Sequence, residues 1–270
     1  MNHWFSHECH SRYNAAMEVI ALQSGSNGNC IYVESAGVRL LFDAGISGKQ
    51  AQTRLAARGK DIEDVQALII SHDHCDHSRC LGIYQRKFGL PVHITKGTLA
   101  VASKKEKLGS LRDVRYFKAG SALRFGTVTV ETIPTPHDAV DGVAFVVDDG
   151  TRRLGILTDL GHAFDRLLPV MRTLDAVVIE SNHDSDMLTN GPYPKSLKQR
   201  IRGRHGHLSN VDSAALLRAA GSRLKWACLA HLSEDNNDPE LAVDTHRSQV
   251  GHQLPLFVAN RYEATDVLEV

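Results

Sequence analysis

The stretch SHDHCDHS, from Ser71 to Ser78, places four metal-binding side chains, His72, His74, Asp76 and His77, within six residues. Zinc and similar divalent ions take imidazole nitrogen and carboxylate oxygen at roughly 2.0–2.2 Å. His72 and His74 are two apart, so an extended segment turns both the same way. Asp76 and His77 follow on a turn and face a second position. One loop of this kind can feed two ions, but it cannot complete two coordination shells. Three further candidates each directly follow an apolar run: His137 after TVTVETIPTP, Asp159 after RLGILT, and His231 after LKWACLA. Cys75 lies inside the motif, and alternation directs its thiol away from the other side chains.

The elements that position these residues are legible from pattern. DVQALII (residues 64–70) is apolar and β-branched and reads as a buried strand ending at Ser71. Strand ends carry functional loops on the rim of a rigid sheet. EVIALQS, CIYVES, VRLLFDAG, PVHIT, DVRYFK, ALRFG, TVTVETIPT, DAVVIES, LKWACLAHLS and LPLFVAN also read as strands, the last ending the regular pattern. VAFVVDDGTRRLGILTD reads as a hairpin joined at Asp149-Gly150. Helices are expected over KQAQTRLAARG, RCLGIYQRKFG, GTLAVASKKEKLG, AFDRLLPVMRTL, YPKSLKQRIRG, NVDSAALLRAAG and DPELAVDTHRSQVG, with Ser209 or Asn210 capping the sixth. β-rich stretches broken by helices imply two sheets covered by helices in one domain.

The 270 residues are 42% hydrophobic, enough for one large core, expected over residues 17–270. Residues 1–16 lack clear periodicity and are expected to be a poorly ordered extension, or Met17 is the natural start. Lys+Arg and Asp+Glu both number 31, so no whole-molecule positive field exists to grip nucleic acid. Five scattered cysteines with no CxxC pair argue against a disulfide framework and fit a cytoplasmic protein. No apolar run approaches the roughly 18–20 residues that span a bilayer, and the first residues have no signal core. Of the 15 histidines, His93, His162, His183, His205, His246 and His252 are expected to be structural or on the surface.

The residues resemble a known family. SHDHCDHS fits the HxHxDH signature of the metallo-β-lactamase superfamily, and the match continues through FDAG at Asp43, His137, Asp159 and His231. LQSGSNGNCIYVE, PTPHDA, ESNHD, GHLSN and AHLSEDNN are similar to its YycJ/WalJ branch, whose members resemble RNase Z and RNase J in their core and are regarded as nucleases. The resemblance covers nearly the whole chain from Met17. It implies an α/β (α+β) fold, the four-layer αββα sandwich, with metals at one edge of the two sheets. It further implies that His72, His74 and His137 hold one divalent ion, that Asp76, His77 and His231 hold another, and that Asp159 bridges them. Asp43 would orient the HxHxDH loop from behind the ligands. Zinc, manganese and iron all suit such a donor set.

A water between two divalent ions becomes a nucleophile near neutral pH, which suits phosphodiester cleavage. It equally suits hydrolysis of a thioester, lactone or lactam, and the core alone does not choose. Asp76 can accept or orient a proton of that water. The resemblance to RNase Z implies a relay in which His207 is the general acid and Glu180 orients it. YPKSLKQRIRGRHGH carries Lys195, Lys198, Arg200, Arg202 and Arg204 without an acid, a local basic strip suited to a phosphate backbone. The Gly-rich turn SGSNGN can bring backbone N–H groups to a phosphate, whereas SKKEKLG reads as solvated surface. The chain lacks the large inserted domain of RNase J and the long arm of RNase Z. The expectation is a dinuclear metal-dependent phosphodiesterase, a DNA exonuclease for which the resemblance implies 5′→3′ action. The alternative is a small-molecule acyl hydrolase of the glyoxalase II or lactonase type, which zero net charge favours. A non-catalytic regulator on the same fold is a third class, and the complete ligand set argues against it.

Overall fold

Successive side chains of a strand point to opposite faces, and here both faces are apolar. The computed structural model describes residues 16–270, so the expected extension lies outside the described residues but for Ala16. In β1 (Glu18–Gln23), Val19 and Ala21 face one core while Ile20 and Leu22 face another. The same split recurs through β2 (Cys30–Ser35), β3 (Val38–Phe42) and β4 (Ala67–Ile69), whereas β5 (Val92–Thr95) gives Val92 and Ile94 to the outer core alone and β6 (Val114–Phe117) is the half-exposed edge. The second sheet is built from β7 (Ala122–Phe125), β8 (Val128–Pro134), β9 (Val143–Asp148), β10 (Arg153–Leu157), β11 (Ala176–Glu180), β12 (Trp226–Ala230) and β13 (Leu256–Val258). A two-residue strand, β14 (Leu268–Glu269), pairs antiparallel with β1. The sequence pattern stopped at residue 260 because two residues carry no periodicity.

Among the described residues the strands form two seven-stranded sheets, ordered β14-β1-β2-β3-β4-β5-β6 and β13-β12-β11-β10-β9-β8-β7. Phe42, Ile69, Phe145, Ile156 and Val178 meet between the sheets. α1 (Gly48–Ala56), α2 (Cys75–Ser78), α3 (Leu81–Phe88) and α4 (Lys96–Lys105) follow strands of the first sheet, and Leu55, Tyr84 and Ala102 pack on its outer face. α5 (Leu167–Met171), α6 (Ser185–Asn190), α7 (Lys195–Arg202), α8 (Asn210–Ala220) and α9 (Pro239–Val250) belong to the second, where Leu167, Leu217 and Ala242 cover the outer face. Three apolar layers between four structural layers make the αββα sandwich. The helix expected over residues 163–174 shortens to α5. Pro169 lacks an N–H and is tolerated only in a first turn, so the helix starts just before it. Ser209 caps α8 by accepting from the Asp212 N–H at 3.1 Å.

Both sheets change from antiparallel to parallel pairing part-way across, at β3 and at β10. Consequently β1, β3 and β4 run one way in the first sheet, and β8, β10, β11 and β12 run one way in the second. Their C-terminal ends share one edge of the sandwich, and every sequence-predicted metal ligand lies at such an end.

Candidate metal centre

Asp43 follows β3 and organises the ligand loop. Its Oδ1 accepts the Ser71 N–H at 2.8 Å, and its Oδ2 accepts the Ser71 hydroxyl at 2.9 Å. His77 Nδ1 donates to the same Oδ2 at 2.7 Å, which leaves His77 Nε2 to face the site. The Ser71 hydroxyl is already spent on Asp43, so it accepts from His72 Nδ1 at 2.9 Å. That fixes the His72 lone pair on Nε2, which is buried without a hydrogen-bond partner. His137 Nδ1 donates to the Gly206 carbonyl at 2.8 Å, so its Nε2 is also a free base, 3.2 Å from His74 Nδ1.

These atoms form two clusters. His72, His74 and His137 converge in one, and Asp76, His77 and His231 in the other, with donor atoms in each within 4.8 Å of one another. Asp159 stands between them. Its Oδ2 lies 3.2 Å from His77 Nε2, and its Oδ1 lies 3.7 Å from His137 Nε2 and 3.6 Å from His231 Nε2. Asp76 Oδ2 is 3.3 Å from His231 Nε2. Burial and the neighbouring imidazoles push His72 well below its ordinary value, and burial does the same more mildly for His74 and His137. Against burial, which opposes it, the carboxylates of Asp159, Asp43 and Asp76 hold His77 well above its ordinary value. Burial would raise Asp76 and Asp159, yet the facing histidines keep both well below the usual carboxylate range. Neutral imidazoles and ionised carboxylates are the forms that bind a divalent cation, so His77 has to give up its Nε2 proton for an ion to sit beside Asp76 and Asp159. The His72 Nε2 lone pair, buried without a hydrogen-bond partner, where a polar atom needs one, fits a metal as well.

Three strand ends share one device. Asp43, Asp159 and His231 all take the left-handed backbone conformation, with φ of 65°, 55° and 56°. Such residues cost about 1–3 kcal/mol each and cluster where function demands them. Each turns the chain sharply after β3, β10 or β12 and points its side chain across the edge.

A family model described as the β-lactamase superfamily domain matches residues 38–231. The exodeoxyribonuclease WalJ of Streptococcus pneumoniae is 38% identical over 234 residues, 85% of this chain and 86% of that protein. The exodeoxyribonuclease YycJ of Bacillus anthracis is 38% identical over 224 residues, covering 82% and 84%. The chain belongs to the metallo-β-lactamase superfamily, in its YycJ/WalJ branch. The fold is also that of YhfI from Bacillus subtilis, with a TM-score of 0.72 at 17% identity over 93% of this chain and all of that one.

Around the donors, this metallo-β-lactamase chain opens a cavity of about 480 Å³. His207 lines it and gives its Nδ1 proton to Glu180 Oε1 at 2.5 Å. Glu180 is fully buried at the end of β11, and its other oxygen accepts the Leu160 and Leu208 N–H groups. Burial alone would lower His207, but Glu180 overrides it and holds the imidazolium up at about 9.

The basic strip divides. Arg200 borders the cavity and reaches Asp138 at 2.5 Å. Lys198 bonds the Thr189 and Gly191 carbonyls, and Arg202 bonds Ser185 and Thr189, so both tie α7 to the end of α6. Arg204 lies beside His162, and Lys195 is exposed at the start of α7. SKKEKLG is more than solvated surface: Lys105 and Glu106 border the cavity, and Lys105 reaches the buried Asp73 at 2.6 Å. Asp73 lies between His72 and His74 and also accepts the Val140 N–H, so it ties α4 and the loop after β8 to the motif. Cys75 is exposed and borders the cavity, outside the donor clusters.

Sequence reasoning missed Asn29 and Asn182. Asn29 Nδ2 lies 3.2 Å from Asp76 Oδ2, and Asn182 Nδ2 bonds the His231 carbonyl at 2.9 Å. Asn29 closes SGSNGN, so the sequence signal was present but was read only for phosphate. The segment after β3 makes a close contact beside that turn: a Cβ on Gly45 would lie 1.6 Å from the Asp76 carbonyl oxygen. The Asn29 N–H bonds that oxygen at 2.7 Å, and the Ala44 N–H bonds the His77 carbonyl at 2.7 Å. Among the described residues no helix is long and apolar enough to cross a membrane.

Proposed function

We propose that the chain is a dinuclear metal-dependent phosphodiesterase that removes nucleotides from DNA ends. The observation that carries this reading is the His207–Glu180 pair, 2.5 Å apart, with Glu180 buried and His207 facing the cavity that Asp76, Asp159 and His231 also line. Kinship with two exodeoxyribonucleases across most of the chain supports it. His72, His74 and His137 would hold one ion and Asp76, His77 and His231 the second, with Asp159 placed between the two sets. Zinc and manganese both suit these donors, and iron is acceptable. Bound ions supply Lewis acidity, activating water and neutralising charge on the phosphodiester.

The chain's own groups supply the rest. Asp76 orients a proton of the attacking water. His207 has committed Nδ1 to Glu180, so Nε2 is the atom that gives a proton to the leaving oxygen. Its raised value keeps it charged at neutral pH. Arg200 leads among the basic residues of 195–204 as a phosphate contact because it borders the cavity. Polarity from 5′ to 3′ follows the branch, and scattered cysteines suit a cytoplasmic location.

The test is cleavage of end-labelled double-stranded DNA by protein reconstituted with zinc or manganese, with His74→Ala as control. Progressive shortening from the 5′ end that disappears in the variant is expected. Metal-loaded protein that leaves DNA intact and turns over thioesters or lactones would replace this reading with the acyl hydrolase. The anchoring of Lys198 and Arg202 to α6, which leaves the cavity few basic residues, is the observation that favours that second reading.

A further inference from the structure

One wall of the cavity has no part in the chemistry above. Tyr193, Leu197 and Ile201 line it. Leu197 and Ile201 are four residues apart on α7 and share one face. Tyr193 precedes the helix, separated from it by Pro194. It is half-buried, and Ser233 and Asp235 lie near its hydroxyl. Those two residues lie on the segment leaving His231, so the ring spans from the start of α7 to a donor-bearing loop. Among the described residues that line the cavity, Tyr193 is the one phenyl-type ring.

Ions and phosphates need only polar walls. A half-buried aromatic ring with two aliphatic neighbours, inside a cavity that otherwise holds donors and charges, matches a flat apolar surface flanked by phosphate. That is a nucleobase on its backbone.

We propose that Tyr193, backed by Leu197 and Ile201, is a stacking subsite for the base of the terminal nucleotide of a DNA strand. The inference rests on the nuclease reading. Every base has a π face, so a single ring confers grip without sequence preference. Arg200 and Lys105 line the same cavity and are the cations there that could meet the phosphates of the stacked nucleotide.

The experiment compares the metal-loaded protein with Tyr193→Ala and Tyr193→Phe. Each is assayed on end-labelled DNA whose terminal residue is either normal or lacks its base. The unaltered protein should lose about tenfold to a hundredfold in kcat/KM when the base is absent. Tyr193→Ala should show that loss on normal DNA and no further loss on the baseless end, with unchanged metal content. Tyr193→Phe should stay within about twofold of the unaltered protein, because stacking needs the ring and not the hydroxyl. Losses that add between variant and substrate, or a Phe variant as impaired as Ala, would overturn the subsite in favour of a structural role. Cleavage by the unaltered protein that ignores the missing base would overturn the subsite alone, whatever the folding of the variants. Absence of DNA cleavage by the unaltered protein would overturn the nuclease reading and the subsite together.

Discussion

The two sheets are built alike and used differently. Each passes from antiparallel to parallel pairing, and each offers its strand ends to the same edge. The first sheet delivers four donors from one short loop after β4, braced by a single carboxylate, Asp43. The second delivers His137, Asp159 and His231 one at a time from three separate strand ends, with Glu180 at a fourth. A contiguous loop is set by local bonds, whereas a distributed set is held in place by the whole sheet. The first half of the centre should therefore fail through loss of its brace, and the second through loss of individual donors.

Asp159 tests the distributed half most severely, since its oxygens face donors of both clusters. Asp159→Ala should lower turnover roughly a thousandfold or more and reduce bound metal at both positions. Retention of two ions per chain would show that Asp159 does not join them. His207→Ala should slow cleavage about a hundredfold or more while both ions stay bound. In the unaltered protein the rate should fall as pH rises through about 9, where His207 loses its proton; a variant profile that keeps this limb would remove His207 as its source. Asp43→Ala tests the contiguous half. Its loss frees His77 and Ser71, and metal affinity should fall about tenfold to a hundredfold by titration. A smaller change than for His231→Ala in the second half is expected, and the reverse order would break the comparison.

Smaller effects separate the sheets from their shared edge. His93 of β5 is pushed down to about 4, chiefly by burial and next by Arg115. Folded His93 stays neutral while the unfolded chain takes up a proton near 6.5, so stability is full above that value and falls as pH drops toward 4. In urea melts, His93→Phe should gain on the unaltered protein between pH 7 and pH 5; a gap independent of pH would refute this. The smallest effect belongs to the turn between β2 and β3. Ala36 and Gly37 both have positive φ, at 50° and 77°, a geometry that favours Asn-Gly. Ala36→Asn should stabilise the fold by about 1 kcal/mol without changing activity.

The same contrast explains what the sequence revealed. The loop at 72–77 was legible because its donors are neighbours in the chain. His137, Asp159 and His231 were legible because an apolar run stops at each. The left-handed backbone that aims Asp159 and His231 was not, because the pattern reports which residues are apolar and says nothing of φ. Asn29 and Asp73 escaped because their roles lie in hydrogen bonds to other segments, and α5 shrank because Pro169 outweighed the apolar spacing around it. The basic strip read as one unit by charge, whereas the fold sorts its members by helix face.

The contact of Gly45 with the Asp76 carbonyl bears on how rigidly Asp76 and His77 are held. The segment bearing Asp76 and His77 is bonded main chain to main chain with residues 29 and 44, and the Asn29 side chain adds a further contact to Asp76. Asp76 and His77 then move apart from this edge of the sheet only when the edge itself opens. The rigidity of their placement becomes a property of local unfolding, readable as the hydrogen–deuterium exchange rate of the Asn29 and Ala44 amides.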